Sequence, residues 1–189
     1  MNASALESFV AQATTIARQH ADAAEFVHAL APLMLDLIDR ADTFLQPQHF
    51  CSDAYAYSRN LIHEAPDASL SLYALVWLPG QWTPIHDHGS WGVVGVVEGV
   101  LEERNYVRLT PDRGADEGIQ LVRGGVTLLT RGAVTTFVPN PDQIHMTGVQ
   151  SGRSRAVSLH LYGRMMSSFN TYDVAAGTRR RVNVTHNES

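Results

Sequence analysis

The spacing of apolar residues divides this chain into two unlike parts. From Ala5 to about Asp42 they recur at helical intervals, as Leu6, Phe9, Val10, Ala13 and Ile16, then Phe26, Val27, Leu30, Leu33, Leu37 and Ile38. Pro32 lacks the backbone donor that a helix interior needs, so the pattern predicts two or three short helices with a break near Ala31. From Phe50 to about Tyr162 the apolar runs become short and strand-like: SLYALVWL, WGVVGVVEGVLEERNYV, GVTLLT, AVTTFVP and RAVSLHLY, punctuated by glycine, proline and asparagine. Many short strands without intervening helices predict a mainly β, closed or sandwiched antiparallel structure with the N-terminal helices packed on it. Gly124-Gly125 reads as a turn, and the polar stretch AAGTRRRVNVTHNES is expected to fray, which leaves His186 without a role.

At 189 residues and 20.8 kDa the chain fits a single domain over 1–189, with a helical segment over 1–45, a barrel over 50–175 and a flexible tail over 176–189. A formal net charge of -5 argues against nucleic acid as a partner. Cys51 is the single cysteine, so neither an intramolecular disulfide nor a cysteine-based zinc site can form, and Cys51 itself reads as an ordinary side chain. No apolar run approaches the roughly 20 residues of a membrane span, and the first residues lack a signal-peptide pattern. A cytoplasmic protein without membrane contact or an obligatory protein partner is the expectation.

The chemistry concentrates in histidines. In PGQWTPIHDHGSWGVVG, His86 and His88 flank Asp87; on an extended strand both imidazoles face one way while Ile85 and Asp87 face the other. His145 follows after a β-rich interval, in VPNPDQIHMTG. Imidazole is the commonest side-chain ligand of first-row transition metals, so His86, His88 and His145 are candidate ligands of one ion. Ser158, His160 and Tyr162 alternate with Leu159 and Leu161, a polar stripe able to link by hydrogen bonds. His20 and His28 lie in the helical part and read as surface residues.

The two histidine stretches resemble the paired motifs of the cupin superfamily, which are double-stranded β-helix barrels enclosing a metal. Gly80, His86, His88 and Gly99 fit the first motif, with Gly92 where its glutamate would stand; Gly132, Pro139 and His145 match the second more loosely. A cupin site of three histidines without a carboxylate resembles the thiol dioxygenases of the cysteine dioxygenase type. Tyr57-Ser58-Arg59-Asn60-Leu61, Trp77 and Ser158-Leu159-His160-Leu161-Tyr162 match that family at corresponding places.

The resemblance implies Fe(II), one per chain, on His86, His88 and His145, and a relay of Ser158, His160 and Tyr162. It implies Arg59 and Tyr57 as substrate-binding residues, the guanidinium matching a carboxylate fork. The implied reaction is oxidation of L-cysteine to cysteine sulfinate with O2, with 3-mercaptopropionate or mercaptosuccinate as alternative substrates. A non-catalytic, metal-binding cupin is the reading from another class. Arg164 is a candidate for a second carboxylate contact, Trp82 and Trp91 are pocket walls or core aromatics, and His63 and Tyr73 are peripheral. Mammalian members carry a cysteine near the Gly92 position that crosslinks to the active-site tyrosine, whereas here Tyr162 is expected to be unmodified.

Overall fold

A computed structural model describes residues 4–19, 22–139 and 143–187; His20 falls outside them. Helices α1 (Ala5–Gln19) and α2 (Ala23–Asp39) come first. Asp22 caps α2 by accepting from the backbone N–H groups of Ala24 and Glu25. The expected break at Pro32 does not occur, and α2 runs through it. Both Pro32 and His28, whose carbonyl loses its helical partner, lie on the exposed side of α2, where water can satisfy that oxygen.

Ten antiparallel strands follow among the described residues: β1 (Ser58–Glu64), β2 (Ser71–Trp77), β3 (Gly92–Glu98), β4 (Val100–Arg108), β5 (Leu121–Thr130), β6 (Val134–Phe137), β7 (Ile144–Gly148), β8 (Ala156–Tyr162), β9 (Ser168–Asp173) and β10 (Thr178–Asn183). They form a five-stranded sheet in the order β1-β2-β8-β3-β6, a three-stranded sheet β5-β4-β7 and a ribbon β10-β9. The long apolar run 91–107 splits at Gly99, where the chain passes from the first sheet to the second. Gly99 has φ +78°, and a Cβ there would lie 2.4 Å from the Arg155 carbonyl, so the corner requires glycine.

Strands β2 and β8 are buried along their whole length because both faces are covered. Leu72, Ala74, Leu159 and Leu161 face the helical layer of Phe9, Phe26, Leu30, Met34 and Leu37. Helix α2 comes so close that a Cβ on Gly95 would lie 2.7 Å from Ile38. The alternate residues Tyr73, Leu75, Trp77 and Tyr162 face inward, with Val94, Leu101 and Leu129 of both sheets. The same period of two therefore supplies one face for the core and another for a site.

Two expectations fail here. Gly124 and Gly125 are not a turn but lie inside β5, next to an irregularity in its pairing with β4 between Arg104 and Tyr106. The tail expected to fray instead pairs along β10 with β9, from Thr178 opposite Asp173 to Asn183 opposite Ser168. Its anchors are specific: Val182 and Val184 pack on the inner cluster, and the Arg179 guanidinium meets Asp116 at 2.8 Å. Asn187 pairs in parallel with Asn60 of β1. Among the described residues no helix is long and apolar enough to cross a membrane.

Candidate metal centre

The three histidines are brought together by backbone pairing. His86 lies opposite His145 in an antiparallel bridge closed in both directions, His86 N–H to His145 O at 2.8 Å and His145 N–H to His86 O at 2.9 Å. Directly opposed residues project to the same face, and His88, two positions on, joins them. The ligand atoms of His86, His88 and His145 all lie within 4.8 Å of one another, and all three residues are buried. His86 Nε2 and His88 Nε2 are 3.2 Å apart. Two nitrogens about 2.1 Å from one ion, at angles between octahedral and tetrahedral, would be separated by about 3.0–3.4 Å.

At His86 and His145 the outward nitrogens face acceptors. His86 Nδ1 lies 3.0 Å from the Pro84 carbonyl, which can only accept, so Nδ1 carries the proton and Nε2 presents its lone pair. His145 Nδ1 faces the Glu103 carboxylate at 3.1 Å. Burial works to raise the Glu103 pKa, but its contacts with His145, Asn105 and Gln143 outweigh this and hold it below the ordinary value. His88 Nδ1 has no hydrogen-bond partner among the described residues; the ring is held instead by stacking on Phe137, with centroids 4.2 Å apart. Burial first, and then repulsion among the histidines, pushes the pKa values of His86 and His88 well down, so both are neutral. Neutral imidazoles with converging lone pairs are a donor set that fits a metal ion.

Asp87 faces the opposite way, as alternation requires. Its carboxylate accepts from Tyr172 Oη at 2.6 Å and from Asn170 Nδ2 at 3.1 Å, which ties the ligand loop to β9.

The polar stripe is continuous. Trp77 Nε1 donates to Ser158 Oγ at 3.0 Å, Ser158 Oγ lies 2.8 Å from His160 Nε2, and His160 Nδ1 lies 3.1 Å from Tyr162 Oη. Burial lowers the His160 pKa to about 3, so the ring is neutral. In the tautomer with the proton on Nδ1, Ser158 Oγ–H donates to His160 Nε2 and His160 Nδ1–H donates to the phenol oxygen. That assignment leaves the Tyr162 hydrogen free to point into the cavity. Burial raises the Tyr162 pKa, so the phenol keeps that hydrogen.

One cavity collects these groups. Tyr57, Arg59, Trp77, the three histidines, His160 and Tyr162 line it, closed by Leu75, Val94, Phe137, Met166 and Phe169. Tyr57 stacks on Trp77 with centroids 4.6 Å apart. Arg59 pairs with Leu75 across β1 and β2, which turns it inward. Its Nη2 donates to the Met166 carbonyl at 2.7 Å, and the guanidinium lies over Tyr73 at 4.8 Å.

Other candidates fall elsewhere. Arg164 does not line this cavity: it donates to the His88 carbonyl at 2.9 Å and to Ser168 O, bracing the ligand loop. Trp82 lies under Arg104 and Trp91 packs edge-on against Phe26, so neither is a cavity wall. Tyr73, expected at the periphery, is fully buried beneath Arg59. His186 meets the Tyr73 ring at 5.6 Å. Glu103 and Phe137 were missed. Glu103 shares the strand face of fully buried Leu101, and a carboxylate at a core-facing position was the available signal. Phe137 occupies the room above Gly92, where a Cβ would lie 2.2 Å from its ring.

The family model for cysteine dioxygenase type I matches residues 1–175. The chain belongs to this family. It is 31% identical to cysteine dioxygenase type 1 of Danio rerio over 134 residues, covering 70% of this chain and 64% of the relative. Against the Homo sapiens protein of the same name the identity is 28%, with the same coverage. The chain thus matches a little under two thirds of the length of these relatives. Among solved structures, a double-stranded β-helix protein from Klebsiella pneumoniae aligns with a TM-score of 0.47 and 17% identity, over 70% of this chain and 93% of that one. Family membership and the antiparallel barrel together give the cupin fold. Within it, the single cysteine, Cys51, is exposed and does not line the cavity that holds Tyr162.

Proposed function

We propose that this chain is an Fe(II)-dependent thiol dioxygenase that oxidises a small thiol carboxylate, L-cysteine in the first place, to its sulfinate. The observation that carries the reading is the convergence of three imidazoles, the Tyr162 hydroxyl and the Arg59 guanidinium on one buried cavity. The balance is thiolate plus O2 to sulfinate: both oxygen atoms join sulfur, which supplies the four electrons, and no external reductant is needed. His86, His88 and His145 would hold the ion; when bound, it supplies a full divalent charge for an anionic sulfur and the redox chemistry with O2.

The remaining steps belong to side chains. Arg59 offers a fork for the substrate carboxylate, with Tyr57 beside it. The Tyr162 hydroxyl donates a hydrogen bond toward the reacting sulfur and oxygen, and Ser158 and His160 keep that hydroxyl in its donating orientation. Phe137, Met166 and Phe169 keep bulk water out. Cytoplasmic action on a free small molecule, without a protein partner, completes the proposal.

The test is anaerobic reconstitution with Fe(II), followed by oxygen uptake with L-cysteine, 3-mercaptopropionate and mercaptosuccinate. Uptake with a product heavier by two oxygen atoms supports the proposal. Bound metal with no uptake on any of the three would make the protein a non-catalytic metal-binding cupin.

A further inference from the structure

Tyr57 and Arg59 have a second face. Besides the metal cavity they line an outer recess of about 520 Å³, walled by the 52–58 segment on one side and by residues 183–187 on the other. The two side chains are thus the partition between solvent and site. We propose that this recess is a docking site for small thiol carboxylates, where the anion meets the outer face of Arg59 before it passes inward. The proposal rests on the thiol dioxygenase reading for the identity of the ligand.

Two other depressions border the ligand loop, and both touch the metal cavity across aromatic rings. One shares His88 and Phe137 with it and is also lined by Asp87 and Arg179; the other shares His88 and Phe169 and is also lined by Asp87, Arg164 and Arg181. Phe137 is stacked on His88, and the Phe169 ring lies 5.1 Å from that of His86. The guanidinium groups at these depressions are engaged, Arg164 with the His88 and Ser168 carbonyls, Arg181 with Ser168 Oγ and Arg179 with Asp116, and the way inward from either passes a phenyl ring, where a carboxylate would shed its hydration. The Arg59 partition does the reverse, because a guanidinium carries five donors in a plane. The hydrogen bonds of Arg59 to Met166 O at 2.7 Å and to Thr185 O at 3.4 Å leave donors unused. The recess is otherwise rimmed by polar groups of Ser52, Asn183, Thr185 and His186 and by the Asp53 carboxylate, which accepts from the Tyr55 N–H at 2.7 Å; Arg59 is the one cation of the described lining.

The tail that forms one wall is built to hold this position. Asn187 N–H donates to the Arg59 carbonyl at 2.8 Å, Leu61 N–H to the Asn187 carbonyl at 3.0 Å, and Asn187 Nδ2 to Asn60 Oδ1 at 2.8 Å. The segment therefore sets both the width of the recess and the seat of the cation at its floor.

Ala56 and Ser52 are exposed on the opposite wall, and neither touches the metal ligands. The test uses Ala56→Phe and, separately, Ser52→Phe in the full chain. Association of 3-mercaptopropionate with the metal-free protein is followed by stopped-flow tryptophan fluorescence, since Trp77 stacks on Tyr57. Both variants should bind about tenfold more slowly than the wild type, with wild-type circular dichroism and, after reconstitution, wild-type iron content. Unchanged association rates in both variants would overturn the docking site, as would absence of saturable binding to the wild type. Oxygen uptake by the reconstituted wild type, measured alongside, reads the thiol dioxygenase assignment separately: binding slowed by the variants without uptake would keep the recess and discard the reaction.

Discussion

His160 Nδ1 lies 3.1 Å from Tyr162 Oη, and the hydrogen-bond chain behind it, running from Trp77 through Ser158, directs that bond toward the phenol oxygen. Tyr162 lines the same cavity as the three histidines, and in the proposed reaction its hydroxyl accepts from His160 and donates into that cavity. Tyr162→Phe should lower kcat by about a hundredfold or more, with a much smaller change in KM and no change in metal content. Equal turnover in the variant and wild type, measured by oxygen uptake, would reduce the stripe to a structural network. His160→Ala should behave like Tyr162→Phe.

Arg59 is 8% exposed and, among the described residues, is the one arginine that lines the cavity. Loss of a charge-assisted contact is expected to cost about 2–3 kcal/mol, so Arg59→Ala should raise KM for L-cysteine about a hundredfold while iron stays bound. Arg59→Gln should move preference away from cysteine and toward thiol acids without an amine. Steady-state kinetics on both variants checks this, and unchanged KM values would place the carboxylate elsewhere.

Glu103 stands behind His145, at 3.1 Å from Nδ1. Supporting partners of this kind tune metal affinity by about ten- to a hundredfold. Glu103→Gln should therefore weaken Fe(II) binding, measured by anaerobic competition with a chelator, without removing a ligand. Affinity equal to the wild type would show that Glu103 does not orient His145.

Gly92 cannot carry a side chain without moving Phe137, since its Cβ would lie 2.2 Å from that ring. Gly92→Ala should destabilise the fold by about 1–3 kcal/mol, read by denaturant unfolding. Intact mass of the wild type should show no loss of two hydrogens from a thioether, because Cys51 is exposed and outside the cavity. Such a loss would place Cys51 beside Tyr162, against the structure.

The sequence carried most of the site because period-two alternation is a local property. His86 with His88, and Ser158 with His160 and Tyr162, each share a face by spacing alone. The bridge that sets His145 opposite His86 depends on long-range pairing, so the sequence offered His145 as a candidate by residue type and family resemblance but not its position across from His86. Where local signals misled, tertiary contacts decided. Pro32 is tolerated because it faces water, and Gly124-Gly125 stays in a strand because β4 pairs along it. The polar tail orders because β9 and Asn60 offer it backbone partners. Arg164 read as a ligand contact from its place after the relay, but its direction is set by the carbonyls of the loop it braces.

The most direct test of the central claim is turnover of L-cysteine by the Fe(II)-loaded chain under isotopically labelled O2, with the sulfinate analysed by mass spectrometry. The account predicts a product in which both sulfinate oxygens carry the label, with one O2 consumed per sulfinate formed. A sulfinate whose oxygens come from water, or one iron per chain with no consumption of O2 on any thiol carboxylate, would contradict it.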